Sequence, residues 1–410
     1  MAITKNIEKE HSMPKLRLPR VTFWSVIFCC IMAVGLYSTF TRFFYGLGSA
    51  THLTDQFPWG LWIGFDVLCG VGLAAGGFVV AATVDIFNLR DYKPILRPAI
   101  LTAFLGYILV IVGLMFDLGR PWNIWHPLIM WNPHSVMFEV GWCVMLYSTV
   151  LALEFSPIVF ERLNMEKPMK IIHSITIPLV ILGVILSSLH QSSLGSLFLI
   201  VPAKLYPLWY SPSLPYLFFV SALAVGPAMV TIESYFSSRA FNRQIEMGIL
   251  SKIGKVSAVA LSILFVLKVE DILSMNLAPY VFTFNFEAGM YWAEIVLGIL
   301  LPMVLLFQSK IRHSQRGIFI ASLFVMLGFI LNRLNISLTA MEHYAPVKYF
   351  PSWMEISITT MIVAVGFVAF RLAAQYLPIF VPEEPEVVLV PSKEHHEVVS
   401  YVELPELASK

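Results

Sequence analysis

The sequence predicts an all-α integral membrane protein of about ten transmembrane helices, two four-helix bundles flanked by one helix each. Three observations carry this. The chain has 410 residues, 58% hydrophobic and only 13% charged, about half the charged share of a soluble domain, about 25%. Its apolar residues fall in runs of bilayer length, which need about 20 residues each. Its Lys and Arg residues alternate between dense and sparse loops, as they do when successive spans cross a membrane in opposite directions.

Taken in order, residues 1–20 form a polar, basic N-terminus, and 21–46 is an apolar run too long for a signal-peptide core, hence a retained first span. Further runs lie near 58–88, 95–117, 133–158 and 171–193, so that 58–193 makes a first four-helix bundle. A second bundle, 213–338, takes the runs 213–237, 254–277, 288–308 and 317–338. A last span covers 353–378, and 379–410 is an acidic tail containing Pro382, Glu383, Glu384, Pro385 and Glu386, with a disordered composition. One set of loops holds Lys5, Lys9, Lys15, Arg17 and Arg20, then Arg90, Lys93 and Arg97, then Arg162, Lys167 and Lys170. Arg239, Arg243, Lys252, Lys255, Lys310, Arg312 and Arg316 continue it, whereas the opposite loops offer Arg120, Lys204 and Lys348. This bias predicts both termini in the cytoplasm and a multi-pass protein of the bacterial inner membrane. Trp59, Trp62, Trp122, Trp125, Trp131, Trp209, Trp292 and Trp353 gather at the opposite ends. An interfacial belt would populate both ends, so the excess points to a partner docked on the outer face.

Ionisable groups inside the spans are the candidate functional residues, because hydrocarbon makes them costly unless paired, neutralised or facing water. A helix starting at Pro58 would put Asp66 about 12 Å along its axis. Asp66, Glu139 and His190 share an outer depth in the first bundle, with Asp117 and Arg120 at the end of the third span. The run from Ser188 through His190 and Gln191 to Ser193 adds hydrogen-bonding groups. Together they suit a polar pocket for a quinone, whose carbonyls need donors and whose two-electron reduction takes up two protons. Asp66, Glu139 and His190 are the proton-exchange candidates, and the residues alone do not rank them. Lys268, Glu294 and Arg333 form a second-bundle charge cluster, best read as an electrostatic clamp. Cys29, Cys30, Cys69 and Cys143 lack the spacing of a metal site or a disulfide framework. A haem with two histidine ligands would have to use His134 with His190.

These stretches resemble the NrfD/polysulphide-reductase family of membrane subunits, in the branch of the hydrogenase-2 and quinone-reductase-complex membrane subunits. The resemblance rests on Phe57-Pro-Trp-Gly-Leu-Trp-Ile-Gly-Phe-Asp66, Ser135-Val-Met-Phe-Glu139, Ala152-Leu-Glu-Phe-Ser-Pro157 and His190-Gln-Ser-Ser-Leu-Gly-Ser196. It continues with Pro207-Leu-Trp209, Trp292-Ala-Glu294, Arg333-Leu334 and Phe350-Pro-Ser-Trp353, covering roughly residues 44–375. It implies a subunit that binds menaquinone or ubiquinone and holds no haem or iron–sulphur cluster itself. It also implies a periplasmic, ferredoxin-like iron–sulphur partner and further catalytic or cytochrome subunits. Trp62, Asp66, Asp117, Arg120, Ser135, Glu139, His190 and Gln191 are then the expected quinone contacts. Such a chain is one subunit of a quinone oxidoreductase and not a complete enzyme. Two other classes fit parts of the pattern: a secondary transporter, for its span count and buried charges, and a b-type cytochrome anchor.

Overall fold

Among the residues that the computed structural model describes, 22–380, the chain is helical, with no strand. The basic N-terminus and acidic tail read from the sequence lie outside them. Nine helical segments there are long and apolar enough to cross a bilayer: α1 (Phe23–Tyr45), α2 (Trp62–Ile86), α3 (Arg90–Asp117), α4 (Val136–Arg162), α5 (Thr176–Leu199), α6 (Leu214–Ala240), α8 (Phe286–Phe307), α9 (Gln315–Glu342) and α10 (Trp353–Tyr376). Between α6 and α8 runs α7 (Met247–Ser274), 28 residues long and so about 42 Å. It spans by length but carries Lys252, Lys255, Lys268, Glu270 and Asp271. A short helix, Glu166–Ser174, precedes α5 and takes the start of the run expected there. The result is a multi-pass membrane protein with the about ten spans that the sequence implies.

Local chemistry sets the helix ends. Thr22, Ser135, Asn285, Ser314 and Ser352 cap the starts of α1, α4, α8, α9 and α10 by accepting a hydrogen bond from a first-turn backbone N–H. Asn88, Asn164, Asn242 and Asn276 adopt positive φ just past α2, α4, α6 and α7, the left-handed stop that asparagine tolerates better than most residues. The helices alternate in direction. One end of the protein therefore collects the Lys- and Arg-bearing turns, called here the basic end, and the other collects most of the tryptophans, the aromatic end.

Packing is ring-like. Helices α2, α3, α4 and α5 contact one another in sequence and close through α5 on α2; α6, α7, α8 and α9 do the same, closing through α9 on α6. The rings meet where α6 packs on α2 and α5. Helices α1 and α10 flank the ensemble as a pair: α10 packs on α1 and on α3, so the end of the chain builds one wall of the α2–α3 region. Close approach inside the second ring depends on glycine. A Cβ on Gly298 of α8 would lie 2.7 Å from the Gly328 Cα of α9, nearer than real contacts allow.

Helix α2 is irregular. It is π-helical at Trp62–Val67 and Ala82–Ile86 and interrupted at Ala74 and Ala75. Glu294–Leu300 of α8 and Asn335–Thr339 of α9 are also π-helical. Each of these widened turns carries a polar group inside a span (Asp66, Asp85, Glu294 and Asn335), in keeping with the frequent use of π-bulges at functional positions.

Replacing Gly298 with Val should force α8 and α9 apart and cost about 1–3 kcal/mol, the usual range for overpacking. Thermal unfolding in detergent should show a lower transition temperature, and an unchanged transition would mean that the contact is looser than described.

Candidate functional site

The expected site residues fall into three separate surroundings. Helix α2 starts at Trp62 and not at Pro58, because residues 54–60 are held in a loop. Thr54 and Phe57 exchange backbone hydrogen bonds, and Leu61 N donates to the Tyr349 hydroxyl at 2.9 Å. Asp66 is therefore about 6 Å into its helix, half the depth expected. It is 6% exposed and accepts a hydrogen bond from Thr359 Oγ1 of α10 at 2.7 Å. It also lies against Gly113 of α3. No salt bridge to it occurs among the described residues.

Around Asp66 the aromatic end is tied together by groups that the sequence reading passed over. Arg42 of α1, 2% exposed, donates from Nε to Phe116 O at 2.7 Å and from Nη2 to Leu118 O at 2.6 Å. It thereby satisfies the C-terminal carbonyls of α3. It is also the cation that acts on Asp117, whose Oδ1 is buried without a partner. Arg120, the expected cation there, is exposed. Glu355 closes a capping box with Ser352 and accepts from the Tyr349 hydroxyl at 2.5 Å. Burial and that carboxylate push the Tyr349 phenol above its ordinary range, so the hydroxyl keeps its proton. Trp62 Nε1 donates to Glu355 O at 3.3 Å. Phe57 stacks on Tyr349 at 4.7 Å, and a Cβ on Gly60 would collide with the Tyr349 hydroxyl. Much of the Phe57-Pro-Trp-Gly60 motif thus holds the 343–355 segment against α2.

His190 lies elsewhere, within the α2–α5 ring. It is completely buried, about 14 Å from the aromatic end of α5 at the usual helical rise. Its Nδ1 pairs with the Tyr107 hydroxyl of α3 at 2.9 Å, and its Nε2 has no partner. The Tyr107 ring meets Tyr147 of α4 edge-on at 4.7 Å, and Ser187 of α5 lies beside the Tyr147 hydroxyl. Gln191 donates from Nε2 to Val71 O of α2 at 3.1 Å. Tyr147 Oη, Ser187 Oγ and Gln191 Oε1 are, like His190 Nε2, buried without a hydrogen-bond partner. Native structures leave few such atoms, and each calls for an explanation such as a ligand or water. Glu139 is exposed near the start of α4, with no hydrogen bond to its carboxylate among the described residues, and Ser135 is spent as the α4 cap. The structure therefore does not bring Glu139 together with Asp66 and His190.

At Glu294 the second ring shows the opposite condition, although Arg333 Nε beside it is unpartnered. Glu294 is 1% exposed, and its two oxygens take four donors. Oε1 accepts from Lys268 Nζ at 3.0 Å and Asn332 Nδ2 at 2.8 Å; Oε2 accepts from Trp209 Nε1 at 3.0 Å and Asn335 Nδ2 at 3.2 Å. Arg333 donates to Asn332 Oδ1 and Ser221 Oγ at 2.5 and 2.7 Å, and its guanidinium lies 3.6 Å from the Phe218 ring centroid. A small cavity of about 30 Å³ adjoins Lys268, Glu294 and Asn332.

The model of the family described as "Polysulphide reductase, NrfD" matches residues 49–345. The chain belongs to the NrfD family. Among similar sequences, a protein of Nitratidesulfovibrio vulgaris (strain Hildenborough) is 39% identical over 366 residues, 87% of this chain and 94% of the relative. The probable Ni/Fe-hydrogenase 2 b-type cytochrome subunit of Escherichia coli K12 is 34% identical, covering 89% of this chain and 93% of the relative. The integral membrane subunit of menaquinone reductase from N. vulgaris is 28% identical over 90% and 94% of the two chains. One of these relatives is named a cytochrome, and the histidines of this NrfD-family chain decide whether it could hold a haem between two of them. His190 has a buried free Nε2, but His134 is exposed at the mouth of α4 and His173 is exposed at the basic end. The described residues thus place no second histidine in the ring with His190, and they do not fit a bis-histidine haem.

Glu294→Ala should leave Lys268 buried without its counter-charge and cost about 3–5 kcal/mol. Glu139→Ala, at an exposed position, should stay within about 0.5 kcal/mol. Unfolding of the two variants in the same detergent checks the contrast, and equal stabilities would contradict the pairing described.

Proposed function

We propose that this chain is the quinone-reactive membrane subunit of a respiratory oxidoreductase, passing electrons between an outer-face iron–sulphur subunit and menaquinone or ubiquinone. The observation that carries the reading is the set of unpartnered buried atoms around His190: His190 Nε2, Tyr147 Oη, Ser187 Oγ and Gln191 Oε1. A quinone carbonyl accepts hydrogen bonds and a quinol hydroxyl donates them, so hydroxyls and an imidazole suit both states. Desolvated groups of this kind cost about 1–3 kcal/mol each when left unmade, and a bound carrier would recover that. The name of the menaquinone reductase relative adds support, since that protein aligns over nearly all of this chain.

In this reading the 58–193 unit is the quinone-binding bundle and His190 is a group that exchanges protons with the carrier. Asp66, buried with one hydrogen bond and no cation, is the second. Trp62 and Asp117 lie in the surroundings of Asp66, and Gln191 beside His190, whereas Arg120, Ser135 and Glu139 stand apart from both. The 213–338 unit is structural, its Lys268–Glu294–Arg333 set acting as a clamp. Electron delivery at the aromatic end is supported by its exposed apolar side chains, among them Trp122, Trp125, Trp131, Phe282 and Phe284, a composition favoured at protein interfaces. The loop charge bias supports placement in the bacterial cytoplasmic membrane with both termini inside. A transporter reading has less support: α2 is interrupted at mid-length, but α6, in the corresponding position of the second ring, is continuous, and transporter sites use paired discontinuous helices.

His190→Ala and Asp66→Asn should each lower quinone turnover at least tenfold while the complex still assembles. Turnover of a naphthoquinone by the purified complex, with subunit content checked on the same sample, tests this. Wild-type rates in both variants would remove the two residues from the mechanism.

A further inference from the structure

Where the two rings meet, a carboxylate and a hydroxyl border one small cavity. Helix α2 loses its regular hydrogen bonding at Ala74 and Ala75: Ala75 N donates to Gly72 O and Gly77 N to Ala74 O, three residues back in place of four. Neighbouring helices grip the broken turn on two sides. A Cβ on Gly76 would lie 2.9 Å from Gly226 O of α6, and one on Gly77 would lie 3.2 Å from Ala99 O of α3 and collide with Ala103. Beside the turn is a cavity of about 10 Å³, bordered by Leu73, Ala74, Gly76 and Gly77 of α2, Thr102 of α3 and Glu233 of α6. That is room for one water-sized atom. Thr102 Oγ1 is buried without a hydrogen-bond partner, so it does not reach the Glu233 carboxylate directly. Glu233 Oε1 accepts from Ser237 Oγ at 2.5 Å. The carboxylate lies about 10 Å inside the basic end of α6, with no salt bridge among the described residues. The charge of Arg243, just past α6, reaches it, but that guanidinium stacks 4.3 Å over the Phe380 ring.

We propose that this cavity is a Na⁺ site that braces the junction of the two rings. The polar side-chain atoms on its walls are oxygens, the Glu233 carboxylate and the Thr102 hydroxyl, and hard cations take oxygen ligands. The broken turn of α2 is the kind of backbone whose carbonyls coordinate cations inside a membrane. A carboxylate at this depth has to be neutralised, and no cationic side chain pairs with Glu233. A single positive charge balances it, whereas a divalent ion would leave a net charge in hydrocarbon. The volume of one water and the glycine-tight walls suit Na⁺ better than the larger K⁺. A water alone would give Thr102 a partner but leave the charge of Glu233 unbalanced. Glu294 of the second ring needs no such ion, because Lys268 lies against it. The ion ties α2, α3 and α6 at one point. Val71 O, just before the broken turn, takes the bond from Gln191 of α5, so occupancy also steadies the contact between α2 and α5. The site does not depend on the quinone reading.

The test uses the full-length protein purified in detergent in a choline buffer. Equilibrium binding of radiolabelled Na⁺ should saturate at about one ion per chain, the capacity of a one-atom cavity. Unlabelled Na⁺ should displace it and choline should not. Thermal unfolding followed by tryptophan fluorescence should rise by about 2–4 °C when NaCl replaces choline chloride at equal ionic strength, with a smaller rise in KCl. Glu233→Gln should abolish both effects. Thr102→Val keeps the side-chain shape and removes one oxygen, so it should fold and bind Na⁺ about tenfold more weakly. Glu154→Gln, which alters an acid of α4 away from this cavity, should leave both effects unchanged. Wild-type protein that binds no Na⁺ and unfolds at one temperature in NaCl and choline chloride would overturn the proposal, leaving a cavity that holds water alone. Wild-type Na⁺ affinity in both Glu233→Gln and Thr102→Val would overturn it as well, by placing the ion elsewhere.

Discussion

Everything in this molecule answers to the penalty for placing a polar group in hydrocarbon. The second ring meets that penalty at its carboxylate: each oxygen of Glu294 has two donors, Lys268 among them, and Arg333 donates to Asn332, Ser221 and Phe218 O while its Nε stays unpartnered. The first ring leaves it partly unmet at His190 Nε2, Tyr147, Ser187 and Gln191. The two rings thus differ at their buried centres: Glu294 is saturated with donors, whereas four atoms around His190 have no partner.

The irregular helices follow from the same constraint. A regular α-helix leaves no spare backbone geometry, whereas a π-turn shifts the register of the side chains that follow it. The widened turns carry Asp66, Asp85, Glu294 and Asn335, and α10 folds back beside α1 so that Thr359 can meet Asp66. The terminal helix is therefore part of the surroundings of the first ring. Arg42 does the corresponding work for α3, bonding the carbonyls that its C-terminus would otherwise expose.

The membrane class, the span count and the family were legible in the sequence, because hydrophobic run length and motif order do not depend on tertiary detail. Asp66, His190, Glu294 and Arg333 stood out because a charge or an imidazole inside an apolar run is conspicuous. Arg42 carried the same signal in the run 21–46 and was passed over. Tyr107, Tyr147 and Ser187 gave no such signal: hydroxyls are common in membrane helices, and only packing reveals that Tyr107 meets His190 and that Tyr147 and Ser187 lack a partner. The depth of Asp66 was misjudged because nothing local marks Leu61 as the start; the Tyr349 hydroxyl, 288 residues away, ends the preceding loop. Glu139, in the first turn of α4, is near the depth of Asp66 but is exposed, and His190 lies deeper than either; depth read from a sequence cannot fix which face of a helix a residue occupies.

The claim at the centre is that the unsatisfied groups around His190 receive a lipid-soluble carrier, whereas the saturated cluster around Glu294 does not. Photolabelling of the native complex with an azido-naphthoquinone, followed by peptide mapping, tests it most directly. The account predicts adducts on α3, α4 and α5 near Tyr107, Tyr147 and His190 that excess unlabelled quinone displaces. Displaceable adducts confined to α7, α8 and α9 around Lys268 and Glu294 would contradict it.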